Sequence, residues 1–277
     1  MPGMKKLDIQ VLVEALALPH QTRGAVSDAL AIAAHVKKGM ASVSRLDSLA
    51  VPVGTGGLWT VPLFERFPHL IDVLGTGVRS ETVLLMIDLS GFSSGTSQLN
   101  PGEIRTILDP FYNKVVSEVE QSGGVVEKFI GDAVIALFGH PFRSVANKDL
   151  TTKKTDLQAA LAVAKACIAW SHTQYKGAMT AKAAATYGEL FIGWVGPESY
   201  SDLTVIGRCM TELFRLEAAA PDQGIIMPRW FFDGNIKEAT SWASAGEYAP
   251  WIHAQGNVNL RGLGDLDVTK LIYNPRD

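Results

Sequence analysis

Two short, largely apolar runs, Val125–Ile130 and Ala133–Phe138, are separated only by Gly131 and Asp132. Each run is of strand length and too short for a helix, and a Gly-Asp pair between such runs supplies the positive-φ backbone that a two-residue hairpin turn requires. Residues 125–138 therefore predict a tight β-hairpin with Asp132 at its tip. A lone hairpin is marginal in water, so the rest of the chain has to supply strands beside it and helices over it.

The flanking segments do so. Thr82–Ile87 is a continuous apolar run that reads as a buried central strand, closed by Asp88 and a Ser/Gly-rich turn. Pro101 and Glu103 open a helix in which Ile104, Ile107, Leu108, Phe111, Val115 and Val119 recur at three- and four-residue steps, stopped by Gly123 and Gly124. After the hairpin, Asp156 is expected to cap a second helix with a stripe of Leu157, Ala160, Leu161, Ala164, Cys167 and Ile168. Strands are expected at 181–186, 189–195 and 203–206, and a third helix from about Cys209 to Ala219. Strand, helix, hairpin, helix, strand is the βαββαβ order of an α+β, ferredoxin-like core.

Ahead of it, residues 8–18 and 23–38 have helical apolar spacing, and residues 40–80 mix Ser, Pro and Gly with isolated apolar clusters. The expected organisation is an N-terminal helical extension and connecting segment over 1–78 and one catalytic domain over 79–277. The glycine-rich stretches 53–57 and 75–77 lack the Lys-Ser/Thr and the strand-to-helix setting of a phosphate-binding loop.

Composition limits the partners. With 25 Lys+Arg against 28 Asp+Glu, the net charge is −3, which supplies no broad attraction for nucleic acid or an anionic membrane. No apolar run reaches the roughly 18–20 residues that span a bilayer. Cys167 and Cys209 fit neither a disulfide framework nor a thiolate metal site, so a cytoplasmic location is the expectation. Apolar residues make up 47% of the chain and charged ones only 19%, below the roughly 25% usual for soluble domains, which leaves apolar surface to bury against a second chain.

In the βαββαβ order Asp88 and Asp132 leave neighbouring strands at the same end of the sheet. Taken singly, each is an ordinary turn residue. Together, two carboxylates in a glycine-rich turn region suit Mg²⁺, which takes one or two protein oxygens and completes its shell with water and phosphate.

MIDLSGFS (86–93) and EKFIGDAVIALFG (127–139) closely resemble the two metal-binding segments of class III nucleotidyl cyclases, the adenylate and guanylate cyclase family. YGELFIGWVG (187–196), DLTVIG (202–207) and FRLE (214–217) are similar to the family's glycine-bearing strand, base-recognition strand and following helix, in the family's order. The resemblance runs from about residue 80 to the C-terminus. It implies a head-to-tail homodimer with the active site at its interface, converting ATP to 3′,5′-cyclic AMP and pyrophosphate with two Mg²⁺ or Mn²⁺. Asp88, Asp132 and the Leu89 carbonyl would hold the metals, and the turn amides of Ser90, Gly91 and Phe92 would hold phosphate.

The resemblance also implies how the base is read. Lys128 stands where adenylate cyclases carry the lysine that donates to adenine N1, an acceptor; guanine N1 bears a hydrogen and would not match. Thr204 occupies the second base-reading position, Arg215 that of the transition-state arginine and Arg261 that of a phosphate contact. The clearest departure is Thr211, where the family carries a ribose-positioning Asn; losing one preorganised donor costs on the order of 100- to 1000-fold in rate. That departure leaves room for UTP or CTP, the substrates of bacterial antiphage pyrimidine cyclases on the same scaffold. A third reading, from a different class, is a degenerate cyclase-homology module that binds nucleotide without turnover.

Overall fold

In the computed structural model the described residues are 77–142, 151–195, 202–236 and 251–274. The helices expected at 8–18 and 23–38, and nearly all of the extension over 1–78, lie outside them. The described elements are β1 (Val78–Ser90), α1 (Phe92–Gly95), α2 (Pro101–Gln121), β2 (Val125–Ile130), β3 (Ala133–Phe138), α3 (Thr151–Gln174), β4 (Thr180–Val195), β5 (Asp202–Ile206), α4 (Arg208–Ala218), β6 (Gly224–Pro228), α5 (Arg229–Ile236), β7 (Trp251–Leu260) and β8 (Gly264–Tyr273). No described helix is long and apolar enough to cross a membrane.

The strands follow the order β2-β3-β1-β4-β6-β8-β7, with β5 pairing β4 off that path. Its first four members are the strand order of the expected α+β, ferredoxin-like core. β3 lies antiparallel to β1, from Val83↔Phe138 to Ile87↔Val134, and β2 antiparallel to β3. β1 is apolar on both faces because it is central: Val83 to Ile87 are each at most 5% exposed. The described residues divide into two compact units, one within 81–189 and 207–274, the other of 77–80 with 190–195 and 202–206. In the second, β5 pairs the outer half of β4 from Phe191↔Ile206 to Val195↔Asp202.

The helices form where local chemistry starts and stops them. Asn100 caps α2, its side chain accepting from the Gly102 and Glu103 amides while Glu103 Oε2 accepts from the Asn100 amide, a reciprocal capping box with Pro101 at the first position. Phe111, Val115 and Val119, four residues apart, are fully buried. Gly123, at φ 77°, ends the helix. In α3 the expected stripe from Leu157 to Ile168 is buried throughout.

Two expectations are corrected. Helix α3 begins at Thr151, so Asp156 is not its cap; it lies within the helix, 5% exposed, facing Gly139, where an added Cβ would stand 2.9 Å from its Oδ2. And 181–186 and 189–195 are one continuous strand, β4, which Gly188 does not interrupt. The glycine serves close approach instead: a Cβ there would meet Cys209 Cβ at 2.9 Å, where α4 sits on the strand. Beyond the βαββαβ core, β6 runs parallel to β4 and antiparallel to β8, and β7 with β8 form a ten-residue ladder from Trp251↔Tyr273 to Leu260↔Gly264.

Candidate active site

The register that ends β1 and β3 at Ile87↔Val134 puts Asp88, one residue further in β1, and Asp132, two residues back in the β2–β3 turn, at the same end of the sheet. The turn is built by Gly131 at φ 60°, backbone that an L side chain rarely adopts. It is held from α2, where the Tyr112 hydroxyl donates to the Gly131 carbonyl and the ring packs 4.5 Å from that of Phe129. Burial, then the charge of Asp132, pushes the Tyr112 hydroxyl's pKa up. After Asp88, β1 ends at Ser90, and Gly91 at φ 82° turns the chain into α1, accepting from the Gly95 amide at 2.8 Å.

Both carboxyls hold their protons more tightly than a solvated aspartate does. Burial, and next the charge of Asp132, raises the pKa of Asp88; Lys182 and a hydrogen bond with Glu217 pull the other way without cancelling the rise. Burial also raises Asp132, and the charge of Glu217 adds to it, against its own backbone amide and a hydrogen bond with Asp88. A proton is thus retained between them more readily than on a solvated aspartate.

Two further residues complete the cluster. Lys182 on β4, only 18% exposed, puts Nζ 2.8 Å from Glu217 Oε1 and 3.7 Å from Asp88 Oδ2. Burial works against its charge, but the hydrogen bond and charge of Glu217, then Asp88, hold its pKa above the usual lysine value. Alongside, Thr186 of β4 donates to the Glu212 carboxylate of α4, so two polar ties join this strand to this helix. Sequence reasoning passed over both Lys182 and Glu217. One signal was present: Lys182 is the lone charge in the Ala-rich stretch Thr180–Thr186, and an ammonium in a buried strand has to be paired.

The sign of a stability effect follows. Because the folded-state pKa values of Asp88 and Asp132 lie above that of an ordinary solvated aspartate, the stability linked to their protonation is full below the ordinary value and lost as pH rises through the raised ones. In chelator, the wild-type chain is expected to lose thermal stability relative to Asp88→Asn as pH is raised from the ordinary aspartate range towards neutrality. A constant difference in melting temperature would contradict this.

The donor set fits a hard divalent cation. It is all oxygen, the charge of Asp132 disfavours that of Asp88, and an ammonium already leans on Asp88. Among the described residues no group of three or more His, Cys, Asp or Glu is arranged to hold a metal. Leu89 is buried, 2% exposed, at the end of β1.

The other expected residues are placed as follows. Ser90 is half-buried, and its hydroxyl is enclosed without a hydrogen-bond partner; Gly91 is exposed and Phe92 opens α1. Lys128 is 37% exposed with Nζ 2.9 Å from Glu127 Oε1, a pairing of sequence neighbours made possible by the register shift between Val126 and Lys128. Thr204 lies on β5 opposite Gly193, in the unit with Leu190–Ile206. Thr211 and Arg215, one helical turn apart on α4, are both exposed, as is Phe214 between them. Arg261 is exposed at the turn of the β7–β8 hairpin. The carboxylates are therefore brought together with Lys182 and Glu217, while Thr211, Arg215 and Arg261 face solvent.

No protein-family model matches the chain. Its curated relatives include the uncharacterized protein Rv1318c of Mycobacterium tuberculosis, 29% identical over 187 residues, 67% of this chain and 31% of that protein. Another is the uncharacterized protein Mb1354c of Mycobacterium bovis, 30% identical over 140 residues, 50% of this chain and 23% of that one. The chain thus matches about a third or less of these relatives' length. Among solved structures it is similar to the adenylyl cyclase CyaB from P. aeruginosa (TM-score 0.57, 19% identity, 73% of this chain and 98% of that one). It is also similar to the guanylate cyclase domain of RhGC from Catenaria anguillulae in complex with GTP (TM-score 0.55, 13% identity, 72% and 100%). A bacterial light-regulated adenylyl cyclase aligns over 87% of this chain and 66% of that one (TM-score 0.58, 17% identity). The fold is that of adenylyl and guanylyl cyclase catalytic domains.

Proposed function

We propose that this chain is a nucleotidyl cyclase that converts ATP to 3′,5′-cyclic AMP and pyrophosphate. The observation that carries the reading is the placement of Asp88 and Asp132 at one end of the paired strands β1 and β3, on a fold shared with cyclase domains. Asp88, Asp132 and the Leu89 carbonyl would hold two Mg²⁺ or Mn²⁺, which when bound supply Lewis acidity at the ribose 3′-hydroxyl and neutralise the departing pyrophosphate.

The chain's own residues do the rest. The turn amides from Ser90 to Phe92 hold phosphate, a use suited to backbone N–H groups at a strand-to-helix turn. Lys128 donates to adenine N1 and Thr204 accepts from the 6-amino group. Arg215 meets the charge that grows on the α-phosphate, and Arg261 the terminal phosphates. Thr211 offers the ribose one hydroxyl.

The layout of α4 supports a homodimer. Residues two apart on a helix point about 200° from each other. Glu217 faces Asp88 and Lys182, whereas Arg215 is exposed. The arginine of one chain is thus turned away from that chain's own carboxylates and is available to those of a second copy. A cytoplasmic location belongs to the same proposal.

Because adenylyl and guanylyl cyclases share this fold, the base rests on Lys128 and Thr204 alone. Incubating the purified chain separately with ATP, GTP, CTP and UTP in Mn²⁺, with products identified by mass spectrometry, tests it. Cyclic AMP from ATP is the expected result. A cyclic product from UTP or CTP alone would replace adenine with a pyrimidine, and nucleotide binding with no cyclic product would reduce the chain to a binding module.

A further inference from the structure

The contact geometry of Lys182 is unequal. Its Nζ is within charge-assisted hydrogen-bond distance of Glu217 Oε1 at 2.8 Å but stands 3.7 Å from Asp88 Oδ2, beyond a hydrogen bond and within reach of an electrostatic contact. Glu217 Oε1 and Asp88 Oδ2 thus share one ammonium, with Asp132 beside them in the β2–β3 turn at the same end of the sheet. Three carboxylates therefore converge with one ammonium, and all four side chains come from different elements: β1, the β2–β3 turn, β4 and α4. Nothing in the proposed chemistry uses Lys182 or Glu217.

From this geometry we infer that Lys182 is a built-in counter-ion that tunes divalent-cation affinity: its ammonium leans on Asp88 in the metal-free chain, and it keeps Glu217 engaged so that this third carboxylate stays out of the metal's coordination shell. The inference rests on Asp88 and Asp132 being the metal ligands. Lys182 is a positioning residue. Its ammonium and an incoming cation compete for the same negative charge, so the cation binds by displacing the contact to Asp88, while the hydrogen bond to Glu217 persists. Two carboxylates rather than three then hold the metal, leaving coordination positions for water and phosphate oxygens. A site with three carboxylates and no ammonium would hold a cation more tightly and offer the triphosphate less of its shell.

The test needs no turnover. Mn²⁺ is titrated into the full chain without nucleotide, and free Mn²⁺ is read from its electron paramagnetic resonance signal. Lys182→Met, which keeps bulk and removes charge, is expected to bind Mn²⁺ about tenfold more tightly, the order expected when one unit charge a few ångströms away is removed. Glu217→Gln, which leaves the ammonium undivided on Asp88, shifts affinity the opposite way by about threefold or more. The double variant, whose net charge equals that of the wild type, returns to within about threefold of it.

Unchanged or weaker Mn²⁺ binding in Lys182→Met overturns the inference, as does a loss of triphosphate binding at unchanged Mn²⁺ affinity, which would make Lys182 a phosphate ligand. If near-ultraviolet circular dichroism shows that Lys182→Met does not fold, Glu217→Gln decides by its opposite sign. Asp88→Asn with Asp132→Asn separates the premise from the inference: Mn²⁺ binding that survives this pair removes the metal site itself, whereas binding lost with the pair and indifferent to Lys182 removes only the counter-ion.

Discussion

Asp88→Asn is expected to lower cyclic nucleotide formation by about a thousandfold, some 4 kcal/mol of transition-state stabilisation, without lowering the melting temperature. The two halves of this result come from the same contact. An amide keeps the shape of the side chain but cannot supply an anionic ligand to a hard cation, so the metal-dependent step is lost. In the metal-free chain, however, Asp88 is a burden: it is buried beside Asp132, and both carboxyls are pushed towards their protonated forms. Neutralising one relieves that repulsion, so the variant melts at or above the wild type in chelator. Product formation by mass spectrometry in Mn²⁺ and thermal melts in chelator measure both. Activity within tenfold of the wild type would refute the metal assignment; a lower melting temperature would show a folding defect instead, and Asp132→Asn then serves as the independent check.

Mixing two inactive variants is expected to restore activity. If Arg215 serves the site of a second copy, a chain with Asp88→Asn and a chain with Arg215→Ala are each nearly inert alone. In a mixed dimer one of the two sites has both lesions and the other has neither. With equal amounts and free exchange, half of the dimers are mixed and half of their sites are intact, so activity recovers to about a quarter of the wild-type level. The rotation along α4 motivates this, since Glu217 is turned to the carboxylates and Arg215 to solvent. No recovery after exchange, or full activity of Arg215→Ala alone, would rule out a shared site.

The parts of the fold legible in the sequence are those whose signals are local. Gly131 and Asp132 between two apolar runs delimit β2 and β3 to the residue, because the turn's backbone requirement and the strands' apolar pattern agree. Likewise α2 starts where Pro101 has no amide to satisfy and the Asn100 side chain accepts from the Gly102 and Glu103 amides. The misplaced cap at Asp156 came from reading a buried acidic residue as a helix start, when its surroundings are tertiary. The hairpin of β7 and β8 lies beyond the expected elements: Ala254, Gly256, Val258 and Leu260 do alternate with His253, Gln255, Asn257 and Asn259, but two of the four are small and much of the strand is exposed, so the signal is weak.

The candidate site divides in the same way. Asp88 and Asp132 were legible because each closes a recognisable strand or turn. Lys182 and Glu217 were not, because they lie on separate elements and an isolated Lys or Glu is an ordinary surface residue in any sequence. Only the approach of α4 to β4 makes them a pair.

That approach has a consequence for which substitutions the chain tolerates. Gly188 is the point where α4 rests on β4, and any larger residue there would press on Cys209. The displaced body would be the helix that bears Thr211, Arg215 and Glu217. A survey of variants scored only by product would therefore rank Gly188 beside Asp88, although the glycine has no side chain to offer a substrate. Intolerance at 188 measures how closely a helix must be seated for distant groups to meet, and in this chain that seating distance is as much a part of the site as any carboxylate.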